Sequence, residues 1–141
     1  SLADAPFSRH STHYRLLAHI NEVAEAGLML ADFAYSHWPD EWTKKLDRQE
    51  LLQILLLHDL DKYLLLSDES LERSIAHGTL SAMILNDLGF DSRVIEAVAS
   101  HSPSASLHLD DPASMILHYC DLFSCDHIYM LVSRTPHYCM K

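Results

Sequence analysis

Apolar residues recur along this chain at helical rather than strand spacing. Between about Ser11 and Ser36, Leu16, Ile20, Val23, Leu28 and Leu30 fall near a helical period and predict a first long helix. Ser11 or Thr12 can cap its start, and Gly27 is an interior weak point that a packed helix tolerates. Residues 37–46 contain Pro39 and predict a connector with room for one extra turn. Asp47 and Glu50 then form a capping-box variant. The run LLQILLLHDL behind them is almost wholly apolar, which predicts a second helix buried on most sides. A third helix is predicted from about Asp68 to Leu88, stopped by Gly89. A fourth runs from its N-cap Asp91 to about His101, ended by Ser102 and Pro103. A fifth begins at Asp111-Pro112, a cap followed by proline at the first helical position, and reaches about Val132. Residues 1–10 and 133–141 show no clear period and predict loose ends.

Composition narrows this pattern to an all-α fold. The 141 residues fit a single domain, with a core over about residues 13–130 and five to seven helices. Three glycines and five prolines are too few for a turn-rich β architecture. The 48% apolar content is enough for one core. No internal repeat or low-complexity tract is visible. Charge then excludes a partner class. Ten Lys and Arg against twenty Asp and Glu leave a formal net charge of -10. Beyond Lys44-Lys45 there is no basic cluster to displace counterions from a nucleic-acid polymer. No apolar run is long enough to cross a membrane, and no signal peptide is visible. The odd set Cys120, Cys125 and Cys139 lacks the spacing of a zinc ribbon or a disulfide framework. A cytoplasmic protein with reduced thiols is the expectation.

The chemistry lies in ionisable residues set into apolar runs. Eleven histidines are dispersed along the chain. His19 sits in LLAHINEVAEAGLML, His58-Asp59 ends the apolar second helix, His77 sits in SIAHGTLSAMIL, His101 closes VIEAVASH, and Asp121 sits in MILHYCDLF. An ionised Asp59 in such surroundings costs several kcal/mol unless a cation offsets it. One polar residue on the inner face of each helix is what a metal site in a helical bundle requires. Imidazole and carboxylate without thiolate suit Fe, Mn, Zn, Co or Ni. Six such side chains, with one carboxylate bridging, are enough for two divalent ions. Lys62 follows Asp59 by three positions, where its ammonium can hold a phosphate oxygen or lean on that carboxylate.

The order H…HD…H…H…D, with a lysine three places after the HD aspartate, resembles the HD-domain phosphohydrolase superfamily. The resemblance spans about residues 13–130 through the segments HINEVAEAGLMLA, ILLLHDLDKY, AHGTLSAMILNDLGFDSRVIEAVASH and ASMILHYCDLF. It is closest to the group with a dinuclear site, which includes symmetrical diadenosine-tetraphosphate hydrolases and HD-GYP phosphodiesterases. The resemblance implies an HD-type helical bundle that cleaves a phosphate ester or anhydride of a small molecule, a nucleotide, with a metal-activated hydroxide. It implies that His19, His58, Asp59 and Asp121 hold a first metal, that Asp59 bridges to a second held by His77 and His101, and that Lys62 binds the phosphate.

Three positions depart from the family form. Asp61 stands where glycine is frequent, changing the turn after HD and adding a negative charge. Ser102 follows His101 where the HD-GYP group has a second histidine, and Cys120 replaces the common alanine before the last aspartate. Ordinary roles compete for several residues. His13 is the alternative to His19, and Asp121 could pair with Lys62 or Arg93. His77 and His101 could be core histidines beside a mononuclear site. His118 and His127 are expected on the surface or behind the ligands, and Trp38 with Trp42 as a packing pair or a base-stacking surface. Two other functions use the same residues: a diiron oxygenase on this fold, which would need dioxygen, and a non-catalytic HD signalling module, which would not need the intact ligand set.

Overall fold

The first apolar stripe forms α1 (Leu16–His37), which starts later than its spacing suggests. The structure, a computed structural model, describes residues 1–9, 11, 13–102, 105 and 109–140. The proposed cap Thr12 and stop Pro103 lie outside the described residues, as do His10 and His108. Ser11 does not cap the helix; its hydroxyl is buried with no hydrogen-bond partner among the described residues. Arg15, in extended conformation, takes the cap position. Residues 1–9 are also not a loose end. Pro6 and Arg15 form an isolated antiparallel bridge, the Leu16 N–H donates to the Ala5 carbonyl (2.9 Å) and the Phe7 N–H to the Tyr14 carbonyl (2.7 Å). Ala5 and Phe7 are buried. The helix starts late because the preceding backbone is already committed to this loop.

After Pro39 comes one turn, α2 (Asp40–Thr43), and then α3 (Arg48–Leu57). The carboxylate of Asp47 accepts the Glu50 N–H at 2.8 Å, as its capping pattern predicts. Only one side of α3 is buried, however: Leu51, Ile54 and Leu55 face the core, while Leu52 and Leu56 are 37% and 41% exposed. The apolar run is wider than the face it has to cover.

The predicted third helix is broken. In its place and just before it stand α4 (Lys62–Ser67), α5 (Glu69–Ser74) and α6 (Thr79–Asp87). Asp68 caps α5 by accepting the N–H groups of Ser70 and Leu71. Gly78 has φ +93°, a left-handed conformation that no helix interior accommodates, and there the chain turns before entering α6. Gly89 (φ +81°) ends α6 in the predicted place. Asp91 caps α7 (Ser92–Ala99), and Asp111 caps α8 (Pro112–Leu131) through the Ser114 N–H. The described residues thus contain eight α-helices, of which α2, α4 and α5 are short turns flanking the longer ones.

The architecture is all-α. Helix α1 packs on α3 and α8, α3 also on α7 and α8, and α6 on α7. Val23, Ala31, Leu51, Leu55, Leu85, Val98, Ile116 and Leu117 form the shared core. Gly27 permits the closest part of the α1–α3 contact, since a Cβ there would lie 2.5 Å from a Leu55 methyl. The second end read as loose is also tied down: Asp126 accepts the His137 N–H at 2.6 Å. No helix among the described residues is long and apolar enough to cross a membrane.

Candidate metal centre

Six of the side chains singled out by their apolar surroundings meet in the middle of this bundle. His19 comes from the first turn of α1 and Asp121 from the middle of α8. His58 is the C-cap of α3, and Asp59 is the next residue. His101 lies just past the end of α7, as expected, whereas His77 lies in the turn before α6 and not inside the helix its surroundings predict. One ligand atom from each of His19, His58, Asp59 and Asp121 lies within 4.8 Å of the others, and the same holds for Asp59, His77 and His101. Asp59 belongs to both groups.

Each imidazole is oriented from behind. The His58 Nδ1 contacts the Leu55 carbonyl at 2.8 Å and the His101 Nδ1 the Val98 carbonyl at 2.6 Å. A carbonyl only accepts, so in both rings Nδ1 carries a proton and Nε2 is the nitrogen that faces the centre. The His19 Nδ1 bonds the hydroxyl of buried Ser124 at 2.8 Å. The His77 Nδ1 faces Asp61 at 3.3 Å. With the rings so held, the His19 Nε2 lies 3.1 Å from Asp121 and 3.2 Å from Asp59. The His58 Nε2 is 3.5 Å from each of those carboxylates. The His77 Nε2 is 2.8 Å from the other oxygen of Asp59 and 3.1 Å from the His101 Nε2.

Charge in the centre is strongly displaced. Burial pushes the Asp59 carboxyl up, but the ammonium of Lys62, the charge of His58 and the neighbouring imidazoles of His101 and His19 hold it well below the ordinary range. Asp121 is likewise held down by His19 and His58 against its burial. Burial pulls His77 down, yet Asp59 and Asp61 raise it to about 10. Lys62 is raised against its burial by Asp59, Cys125 and Asp121. Its Nζ sits 3.4 Å from Asp59 and 3.8 Å above the ring of Phe7. In a metal-free chain, protons and Lys62 thus offset the two carboxylates, as a divalent ion would.

The donor set fits divalent ions. The His19 Nε2, His58 Nε2 and Asp59 Oδ1 are fully buried and have no hydrogen-bond partner among the described residues. Such groups are destabilising in a core unless something else satisfies them. Nitrogen and carboxylate oxygen at these separations match ligand-to-ion distances of about 2.0–2.2 Å. The thiols stay out of the ligand set: burial pushes Cys120 up to about 11 and Cys125 higher still, and the Cys125 thiol donates to Asp121 at 3.5 Å.

Several residues fall elsewhere. His13 is exposed. His127 pairs with Glu22 at 3.4 Å. Arg93 pairs with Glu50 and the Lys45 carbonyl rather than with Asp121. His118 lines a cavity of about 690 Å³ beside His101, whose wall also holds Trp38, Trp42 and Tyr119. Three contributors escape a reading of the sequence. Phe7 packs against His19 with ring centroids 4.7 Å apart and the planes tilted by 59°, and no local pattern marks it. Ser124 and Cys125 lie three and four residues after Asp121, on the same helix face, and that spacing was the available signal.

Comparison with known proteins gives one result. The family model described as HD domain matches residues 16–125. No curated protein and no solved structure gives a significant match.

Proposed function

The chain belongs to the HD-domain family, a family of metal-dependent phosphohydrolases, and is itself such an enzyme; from that premise we propose that it cleaves a phosphate ester or anhydride of a small nucleotide. Two ligand groups, buried except at His77 and sharing the carboxylate of Asp59, carry this reading. His19, His58, Asp59 and Asp121 would hold one divalent ion, and Asp59, His77 and His101 a second. Bound there, such ions supply an activated water and neutralise charge on the phosphoryl oxygens. The chain's own residues do the rest. Contacts behind the rings from Leu55, Val98, Ser124 and Asp61 hold them in place. Lys62, 19% exposed at its side chain, gives a phosphate oxygen a point charge at the edge of the centre. Phe7 packs against the His19 ring and under the Lys62 ammonium, holding both at the edge of the centre.

The nucleotide part rests on the cavity beside His101. Its volume is that of a small-molecule pocket, and Trp38, Trp42 and Tyr119 offer flat apolar surface to a base. The negative net charge disfavours a polymer but not a mononucleotide or dinucleotide brought to bound cations.

The test is elemental analysis of purified protein, followed by assay of a panel of nucleotides and phosphate esters with added Mn, Fe, Co, Ni or Zn. About two equivalents per chain and metal-dependent phosphate release, with and without dioxygen, are expected. Turnover that stops under anaerobic conditions would instead identify an oxygenase, and less than one equivalent of metal would end the reading.

A further inference from the structure

Asp61 is fully buried, three residues after His58, in a position where the HD pattern has no need of a carboxylate. Its backbone N–H donates to the hydroxyl of buried Ser81 at 2.7 Å. One carboxylate oxygen, Oδ2, accepts the N–H of Gly78 at 3.0 Å and the N–H of Ser81 at 3.4 Å. The other, Oδ1, has no hydrogen-bond partner among the described residues and lies 3.3 Å from the His77 Nδ1. The same side chain therefore staples the start of α6 and faces the back of the ring whose Nε2 points at Asp59.

We propose that Asp61 is a positioning residue that holds His77 as the Nδ1–H tautomer, leaving its Nε2 free to bind the second metal. The proposal rests on the reading of His77 as a ligand. An ionised carboxylate only accepts. With Oδ2 committed to two backbone donors, Oδ1 can face Nδ1 favourably only if Nδ1 carries a proton. A carboxylate behind a ligating imidazole fixes the tautomer and raises the basicity of the ligating nitrogen. His58 and His101 obtain the same result from the carbonyls of Leu55 and Val98. His77 lies outside the helices, in a turn, with no carbonyl of its own helix behind it, and Asp61 takes that place.

Asp61→Asn separates this role from a purely structural one. The amide keeps the shape of the side chain. Its single carbonyl oxygen is required by Gly78 and Ser81, so its NH2 falls where Oδ1 now faces His77. Nδ1 must then accept, Nε2 takes the proton, and the ring cannot ligate. Turning the amide over would set its NH2 against two backbone donors instead. A cap that only stabilised α6 would survive the substitution, because one acceptor oxygen is all a cap uses.

Zinc titration of the full chain, with ring nitrogens followed by 15N NMR, reads both effects. Wild type is expected to bind two equivalents and to show a protonated His77 Nδ1 in the zinc-loaded form. In Asp61→Asn the first equivalent should bind as in wild type, and the second should weaken by about 10- to 100-fold. Equal affinity for both equivalents in Asp61→Asn overturns the proposal. So does an unprotonated His77 Nδ1 in zinc-loaded wild type, a result that needs no variant to fold. His77→Ala isolates the premise: if it retains both equivalents, His77 is not a ligand and the site reading fails. If it loses the second while Asp61→Asn does not, only the role of Asp61 fails.

Discussion

The two ligand groups share Asp59 but are built by different means. In the first, His19 and Asp121 stand inside the long helices α1 and α8, and His58 caps α3. Those three helices pack on one another, and their ligand side chains are almost entirely shut off from solvent. In the second, both histidines lie outside helices, and the side chain of His77 is 31% exposed. Its geometry depends on a left-handed glycine, a capping carboxylate and the end of a two-turn helix. Helix packing makes the first half hard to deform, whereas turns make the second half adjustable. The first metal is therefore expected to bind tighter and leave more slowly, with substrate exchanging against the second.

Removing the shared carboxylate is the strongest way to break this comparison, because it strikes both halves. Asp59→Ala takes away the one residue common to the two groups and leaves the ammonium of Lys62 without the carboxylate it pairs with. Loss of several kcal/mol of charge stabilisation corresponds to a drop in turnover of at least about 1,000-fold. Steady-state assay of the variant at saturating metal checks this, and turnover within tenfold of wild type would refute the bridging assignment.

A matched pair of glycine substitutions sharpens the contrast. Gly78→Ala forces an alanine to φ +93°, with its Cβ 2.8 Å from the Val98 carbonyl oxygen and 3.3 Å from the His101 Nδ1. The strained backbone alone costs about 1–3 kcal/mol, and a backbone carbonyl cannot give way without moving the end of α7 that positions His101. Unfolding of the metal-free variant in denaturant should show that loss, and zinc titration should show the second equivalent weakened with the first retained. Gly27→Ala presses instead on the Leu55 methyls, between the helices that carry His19 and His58. Overpacking there costs about 1–3 kcal/mol, at the lower end because a side chain can shift. Both equivalents should still bind. If Gly27→Ala released the second metal and Gly78→Ala did not, the division into rigid and adjustable halves would be reversed.

The same division explains what the sequence reveals. Caps are local, so Asp47, Asp91 and Asp111 mark the starts of α3, α7 and α8 unaided. His58, Asp59 and Asp121 stand out because an ionisable group in an apolar run demands a partner. Non-local pairing hides the rest. The late start of α1 depends on the backbone of Ala5 reaching Leu16. The break before α6 is invisible because helical periodicity continues on both sides of it, and a lone glycine inside such a pattern reads as tolerated. Asp61 is noticeable as a change of residue type, but its purpose appears only when Gly78 and Ser81, seventeen and twenty residues on, donate to it. The exposure of Leu52 and Leu56 has the same origin, since an apolar residue does not announce which helix will cover it.

The smallest expected effect concerns pH, and its sign separates metal-free from metal-loaded protein. In the metal-free chain His77 is raised to about 10 from an ordinary value of 6.5, because Asp59 and Asp61 outweigh its burial. A group raised in the folded state stabilises it fully below the unfolded value, and that contribution is lost as pH rises from about 6.5 through about 10. Asp59 and Asp121, held below the ordinary value of 3.8, act in the opposite sense: their contribution is present above it and is lost on acidification. Metal-free protein should therefore be most stable between these limits, with Tm declining on the alkaline side by on the order of a few degrees. Metal binding requires an unprotonated imidazole, so it competes with that proton, and zinc should bind more tightly as pH rises through the same window. His77→Gln should flatten the alkaline decline of the metal-free protein, because no proton remains there to lose. Thermal melts from pH 6 to 10, with and without zinc, measure both slopes. A metal-free Tm that stays level to pH 10 in wild type would mean that the carboxylates do not hold His77, and the second half of the centre would lose its electrostatic basis.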